Sequence, residues 1–357
     1  VLTPEATLAR FREYMVGPTR FMNLLSCFEL GIIDELREHP GATAAKLGEA
    51  VGAKPDAVEQ LLQLLVKEEF LAYDPASGGY SLDALAAVAQ ADLKRATTYM
   101  KLIKFVALRQ VFYLTESVRT GSLVGLKELY GFDGTLYEAV AEHQDLYDAF
   151  ATLMDNVTAR VDPWFFENVD IPAGSRVLDL AGNTGLGAIH ACRLKPSEGL
   201  QVTTFDLPHK EEECLRNFRE HGVAEQCSFI GGDVFDKVPE GFDVVLIKHF
   251  LDMFDRDDVF RILGGVHKSL EAGGQVAVMV PVYPEDIRDR GNYCVDFFPA
   301  FFLGGTMGQG GPQKVSTYRR WLEECGFRVT RTVTKDPAEM PPDVIPVQAI
   351  LCAVKTA

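Results

Sequence analysis

The chain lacks several features, and each absence narrows what it can be. Its seven cysteines, at positions 27, 192, 214, 227, 294, 325 and 352, include no CxxC pair. An odd number of scattered cysteines points to reduced thiols in a cytoplasmic protein, with no structural zinc site. No apolar run approaches the ~20 residues that span a bilayer, so no membrane contact is expected. The first residues show no basic-then-apolar layout, so no signal sequence is expected either. A basic excess is also missing. Lysine and arginine number 35 against 51 acidic residues, a formal net charge of −16. A nucleic-acid footprint needs a basic face, so the partners expected are small molecules, and the acidic excess reads as a solvated surface. There is no internal repeat and no low-complexity tract.

What is present suits a globular protein of two domains. At 357 residues, 47% hydrophobic and 24% charged, the chain can bury a sizeable core. The first ~85 residues read mainly as helices. Phe21, Leu24, Leu25, Phe28 and Leu30 lie near helical spacing and give one apolar face. Thr43 starts a short helix through Leu47, and Pro55 opens another with Val58, Leu61, Leu62, Leu65 and Val66 at periodic positions. Phe70–Tyr73 and Tyr80–Leu82 form a hairpin around Asp74–Gly79. Together these give a winged-helix outline. The helix after Pro55 carries Asp56, Glu59, Glu68 and Glu69 against Lys67, the wrong charge for DNA.

Residues from about Leu93 to Trp164 read as long helices with an aromatic-rich segment through Tyr99, Phe105, Phe112 and Tyr113. Arg109 and Arg119 are candidates for holding a carboxylate. From Pro172 strands and helices alternate, with apolar runs at Arg176–Leu180, Val202–Phe205, Cys227–Ile230, Val244–Ile247 and Gln275–Val280. Weaker runs follow near Phe327–Val333 and Gln348–Val354. The expected class is α/β: a Rossmann-like, mostly parallel sheet with an antiparallel edge, behind an N-terminal helical domain. The expected domains are 1–100, a helical linker over 101–165 that contributes to a substrate pocket, and 166–357.

The chemistry begins at Val177-Leu178-Asp179-Leu180-Ala181-Gly182-Asn183-Thr184-Gly185. An apolar run ends in an acid and breaks into a glycine-bearing loop. A second run, Val202–Phe205, ends in Asp206. This is the layout of a nucleotide-type site at the carboxyl edge of a parallel sheet. Gly182 and Gly185 let the backbone approach a ligand, and Asp206 can bind ribose hydroxyls. The loop reads AGNTGLG and not the GxGxxG of dinucleotide sites. Asp179 can accept from an ammonium group. A ligand with an amino-acid end and an adenosine end, such as S-adenosyl-L-methionine, fits better than a pyrophosphate.

Phe205-Asp206-Leu207-Pro208-His209 and Gly231-Gly232-Asp233-Val234-Phe235 follow in order, each after a strand. With Lys248 they resemble the caffeate/hydroxyindole-type O-methyltransferase family, in its bacterial natural-product branch, from about Pro18 to Lys355. The resemblance implies S-adenosylmethionine binding, with Asp206 on the ribose, Asp233 and Val234 at the adenine, Lys248 close by, and Leu207 and Phe235 also among the cofactor-binding residues. It also implies that the N-terminal domain dimerises, with the apolar face at Phe21–Leu30 as the interface or as a plain intramolecular core.

The catalytic segment departs from that family. Its members place a histidine general base after the fourth strand, within a His-Asp-Trp segment. Histidine suits this because its pKa lies near the operating pH. Here the segment reads Lys248-His249-Phe250-Leu251-Asp252-Met253-Phe254. Counted from Lys248 without a gap, the base position is Asp252, Met253 and Phe254 replace the Asp-Trp, and His249 stands three residues earlier. Val280 stands where the first of two supporting acids would be, and Gln313-Lys314-Val315 covers the second.

Four readings follow. One is methyl transfer to carbon, preferred narrowly because the oxygen-type base set is absent. Another is transfer to oxygen with Asp252 as base, or by orientation alone. A third is a metal-assisted transfer through His249, Asp252, Cys294 and Asp296, and a fourth a relative that binds the cofactor without transferring methyl. No metal is expected. The aromatic segment Tyr293–Phe302 and the glycine-rich stretch after it suit a small flat acceptor, with Asp296, Phe297, Phe301 and Met307 as candidate pocket residues.

Overall fold

The computed structural model describes residues 2–134, 136–291, 293, 295–336 and 347–356, with the backbone alone at 137, 141 and 145. The chain divides into two compact units, Val1–Ile103 and Lys104–Ala357.

In the first unit, α1 (Pro4–Glu29) leads into α2 (Ile32–Glu38), β1 (Ala42–Thr43), α3 (Ala44–Ala50), α4 (Pro55–Lys67), β2 (Leu71–Asp74), β3 (Gly79–Leu82) and α5 (Gln90–Leu102). Thr43 caps α3 by accepting from the Lys46 N–H at 3.4 Å, and Pro55 opens α4 where a missing N–H costs nothing. The strands pair in the antiparallel order β1-β3-β2, which completes the winged-helix outline.

The apolar face expected at Phe21–Leu30 is largely spent inside this unit. Leu25 and Cys27 are fully buried, and Leu24 and Phe28 pack on the core built by Ile32, Ile33, Leu62 and Leu65. The face left open lies three turns earlier. Leu8, Phe11, Tyr14 and Met15 are 60–82% exposed, with 8, 11 and 15 at i, i+3, i+7 spacing on α1.

The second unit opens with helices α6 (Arg109–Val111), α7 (Leu114–Thr120), α8 (Val124–Tyr130), α9 (Leu136–Glu142) and α10 (Gln144–Asn168). The aromatic-rich segment is not uniformly core. Val106 is fully buried, whereas Phe112 is 80% exposed. Arg109 lies over the Phe105 and Tyr130 rings and donates to the Tyr130 hydroxyl at 3.2 Å, while Arg119 is exposed.

Then β4 (Arg176–Leu180), α11 (Leu186–Leu194), β5 (Gln201–Asp206), α12 (Glu211–Glu220), β6 (Cys227–Gly231), β7 (Phe242–Lys248), α13 (Arg256–Ser269) and β8 (Leu270–Tyr283) alternate. After them come α14 (Phe298–Thr306), β9 (Gln313–Lys314), α15 (Val315–Glu324), β10 (Phe327–Thr334) and β11 (Gln348–Lys355). The sheet runs β10-β11-β8-β7-β4-β5-β6, with β9 pairing beside β8.

Strands β4 to β8 are mutually parallel, and β11 is antiparallel to both β8 and β10. The central strands carry unbroken apolar runs because helices cover both faces: Val244, Val245, Leu246 and Ile247 are all fully buried. Strand order reverses between β4 and β7, and the carboxyl ends at such a reversal are where open parallel sheets bind ligands. Asp179, Asp206, Gly231 and Lys248 all stand at those ends.

Candidate active site

The loop after β4 is held in an unusual conformation. Ala181 and Asn183 both have positive φ, 55° and 51°, which side chains seldom adopt. Asp206 fixes this turn from β5. Its Oδ2 accepts from the Asn183 N–H at 2.8 Å, and its Oδ1 accepts from the Leu207 N–H at 2.7 Å. Burial nonetheless pushes the Asp206 carboxyl upward, with those two donors pulling the other way. Each oxygen retains acceptor capacity for a ribose hydroxyl.

Helix α10 secures the same loop from outside. Asp155 Oδ1 accepts from Thr184 Oγ1 at 2.8 Å and from Asn183 Nδ2 at 3.2 Å. Lys210 donates to Asn183 Oδ1 at 2.6 Å and sits 4.0 Å from the Tyr147 ring centre. Nothing in the sequence pattern marks Asp155, Tyr147 or Lys210, because none lies in the glycine motif they brace.

Asp179 is 1% exposed, and its Oδ2 has no hydrogen-bond partner among the described residues. Burial raises its pKa to about 6, the charge of Lys248 opposing that shift. Two glycines keep the space over this oxygen clear. A Cβ on Gly182 or on Gly187 would come within 2.6 Å of Asp179 Oδ2. Gly185, at φ 80°, packs against the Phe218 ring.

A buried, unpaired carboxylate oxygen beneath a glycine-walled space suits a cationic ligand group, since a charge-assisted bond repays the burial. Asp206 stands one strand over, at the carboxyl end of β5. Beyond β6, Asp233 is exposed and accepts from the Phe235 N–H at 2.8 Å, with Val234 and Phe235 half-buried behind it. Leu207 is 40% exposed. Lys248 is already engaged, its Nζ lying 2.8 and 2.9 Å from the two oxygens of Asp162 on α10.

The turn after β7 separates the two catalytic candidates. His249 has a φ of 50°, its N–H bonds the Met279 carbonyl at 2.9 Å, and its Nε2 is buried without a described partner. Burial, aided by the Lys248 charge, lowers its pKa to about 4. Asp252 sits in a short 3₁₀ turn, Leu251–Met253, at 8% exposure. Its Oδ1 has no described partner, and burial raises its pKa to about 7. With Nε2 and Oδ1 both unpartnered, no hydrogen bond joins those two atoms.

The glycine-rich stretch clamps this turn. The Gly311 N–H bonds the Asp252 carbonyl at 2.7 Å, and a side chain at Gly310, φ 122°, would strike the Met253 carbonyl oxygen. Tyr318, 2% exposed, accepts from the Gln313 N–H at 3.2 Å. Burial, with the charge of nearby Asp252 next, drives its phenol pKa well above 10. Val280 is fully buried within β8, and Gln313 Nε2 bonds the Gly311 carbonyl at 3.1 Å.

The expected pocket residues divide. Phe297 and Phe301 stack at 5.4 Å and 18°, both half-buried, and Met307 caps α14 at positive φ. Asp296 is exposed. Of the four candidate metal ligands, Cys294 lies outside the described residues, and His249, Asp252 and Asp296 do not form a ligand cluster. Among the described residues the acid and histidine group close enough to share a cation is Glu35, Glu38 and His39 in the first unit.

Comparison with known proteins bears on this site. Residues 112–328 match the O-methyltransferase domain, and residues 13–91 match the O-methyltransferase dimerisation domain. The chain is 29% identical over 316 residues to the mitomycin biosynthesis 6-O-methyltransferase of Streptomyces lavendulae, covering 85% of this chain and 84% of that one. It is 23% identical over 318 residues to the L-tyrosine C(3)-methyltransferase of the same organism, covering 88% and 85%. Human N-acetylserotonin methyltransferase, solved in complex with S-adenosylmethionine, superposes with a TM-score of 0.79 at 21% identity over 98% of each chain. The chain belongs to the O-methyltransferase family and is an S-adenosylmethionine-dependent methyltransferase.

Proposed function

We propose that the protein methylates a small phenolic acceptor in secondary metabolism, with Asp252 as the base that takes the hydroxyl proton. The observation that carries this reading is the Asp252 carboxyl: buried at the position where the resemblance puts the base, with an unpartnered oxygen and a pKa near 7. A base is most effective when its pKa lies near the operating pH. At about 4, His249 binds a proton too weakly to compete.

When bound, the cofactor supplies the methyl group on a sulfonium. Asp179 would hold its ammonium, Asp206 its ribose, and the turn at Asp233–Phe235 its adenine. Asp252 accepts the proton that leaves the phenolic hydroxyl, which frees the oxygen to take the methyl group while the carbon–sulfur bond breaks. Phe297 and Phe301 offer stacked faces for a flat ring.

The sequence preference for carbon rests on a missing base set, and a buried carboxyl near pH 7 weakens that ground. Carbon stands as the second reading. A ring carbon beside a phenolate is nucleophilic, the same base serves it, and one relative named for C(3)-methylation matches most of the chain. The relative at 29% identity is named for oxygen.

The reading includes a homodimer, supported by the dimerisation-domain match and by the exposed stripe Leu8, Phe11 and Met15. It includes a cytoplasmic site of action, supported by the free thiols at six described cysteines. The test is incubation with labelled S-adenosylmethionine and a panel of phenols, aromatic amino acids and aryl keto acids, with the methyl located by NMR. Label on a phenolic oxygen is the expected result. Label on carbon selects the second reading, and no transfer to any acceptor refutes both.

A further inference from the structure

Lys248 has two carboxylates within reach and bonds only one of them. Its Nζ lies 2.8 and 2.9 Å from the oxygens of Asp162, whose side chain is fully buried. His190 Nδ1 lies 2.9 Å from Asp162 Oδ2 and steadies that carboxylate from α11. Phe165 and Phe166, one turn along α10 from Asp162, place their ring centres 5.6 and 5.4 Å from the same ammonium. One face of α10 therefore builds the seat for Lys248.

The alternative seat is close. A Cβ on Gly187 would lie 2.6 Å from Lys248 Nζ and 2.6 Å from Asp179 Oδ2, so those two atoms are separated by no more than twice that distance. Lysine is a flexible point charge on a four-carbon stem, and a small torsional change closes such a gap. Yet Asp179 Oδ2 is left bare.

We propose that Asp162 is a positioning residue: it holds the Lys248 ammonium off Asp179 and so keeps the Asp179 oxygen open for the ammonium of the cofactor. This rests on the reading of Asp179 as the acceptor for that group. With its seat neutralised, Lys248 turns to the remaining buried carboxylate, pairs with Asp179, and fills the place that a ligand cation would take. The charged groups facing Asp179 are Lys248, Asp162, Asp206 and His190. Of these, Lys248 and His190 are cationic candidates, and both are bound to Asp162.

The test compares two ligands by calorimetry on the full chain. S-adenosylhomocysteine carries the ammonium, and 5′-methylthioadenosine shares the adenosine end without the amino-acid tail. The readout is the ratio of their affinities, which loss of general packing does not change. Asp162→Asn is expected to lower the ratio roughly tenfold or more, the size of one charge-assisted bond, with methylthioadenosine affinity held. Asp162→Asn combined with Lys248→Met removes both charges and the competitor, and is expected to restore the wild-type ratio.

An unchanged ratio in Asp162→Asn, or no recovery in the double variant, overturns the proposal. Failure of Asp162→Asn to fold also overturns it, since an Asp162 needed for folding is structural and a Lys248 able to reach Asp179 leaves no unpaired charge; a double variant that does not fold counts as no recovery. Asp179→Asn separates the two readings. If its ratio equals wild type, the ammonium assignment itself has failed. If its ratio falls while that of Asp162→Asn does not, only the positioning role is lost.

Discussion

Replacing Asp252 by asparagine keeps the volume of the side chain and removes its ability to take a proton. The structure fixes how large the consequences should be. Burial moves this carboxyl from 3.8 to about 7. At 1.36 kcal/mol per unit, the folded protein disfavours the carboxylate by roughly 4 kcal/mol as an upper figure. Near neutrality the group is thus half ionised, a charge the pocket tolerates poorly and a proton on the acceptor can relieve.

A positioned general base contributes about 100- to 10,000-fold. The kcat of Asp252→Asn should fall by that factor, while calorimetry finds S-adenosylhomocysteine affinity unchanged. In the wild type, kcat should rise with pH and level off above about 7, and the variant should lose that rise. His249→Gln should cost less, because a nitrogen held near 4 is neutral throughout this range.

Stability gives an independent reading. A carboxyl whose folded pKa is raised contributes stability in full below its unfolded value and loses it as pH climbs through the folded value. Between about pH 4 and 7 the wild type should therefore lose stability that Asp252→Asn keeps. Asp179 titrates near 6 in both proteins and cancels from the comparison. A near-wild-type kcat in Asp252→Asn would falsify the assignment. Catalysis would then rest on His249 or on orientation alone.

Asp206→Ala should weaken S-adenosylhomocysteine binding about tenfold or more, as ribose bonds to a charged acceptor are lost and the Asn183 N–H loses its partner. Unchanged calorimetric affinity would remove Asp206 from the site. Turnover should survive EDTA, because His249, Asp252 and Asp296 do not cluster; loss of activity restored by one divalent ion would replace this view with the metal-assisted one. Phe11→Glu combined with Met15→Glu should convert a dimer to monomer in light scattering, since both side chains are at least 60% exposed on α1 and cost the folded subunit little. A dimer that persists at micromolar concentration would move the interface elsewhere.

The sequence by itself determined the sheet and the ends of its strands. A short, largely apolar run with Asp, Gly or Lys at or next to its end is a local signal, and β4, β5, β6 and β7 each carry one. The place of Asp179, Asp206 and Lys248 at the strand ends was legible for that reason, since a parallel sheet collects those ends at one edge whatever the loops do. Helical periodicity likewise announced an apolar face on α1. It did not say what that face meets, and packing used Leu25 and Cys27 internally while leaving Leu8 to Met15 uncovered.

What tertiary structure alone decided is pairing between distant segments. Asp162 and Lys248 are 86 residues apart, and Asp155 lies 28 residues before the Asn183 it holds. No spacing rule links such residues, because their meeting depends on how α10 lies against the sheet. Protonation belongs to the same level. An aspartate in a sequence has one ordinary pKa, and burial in the folded chain moves Asp252 and Asp179 toward neutrality.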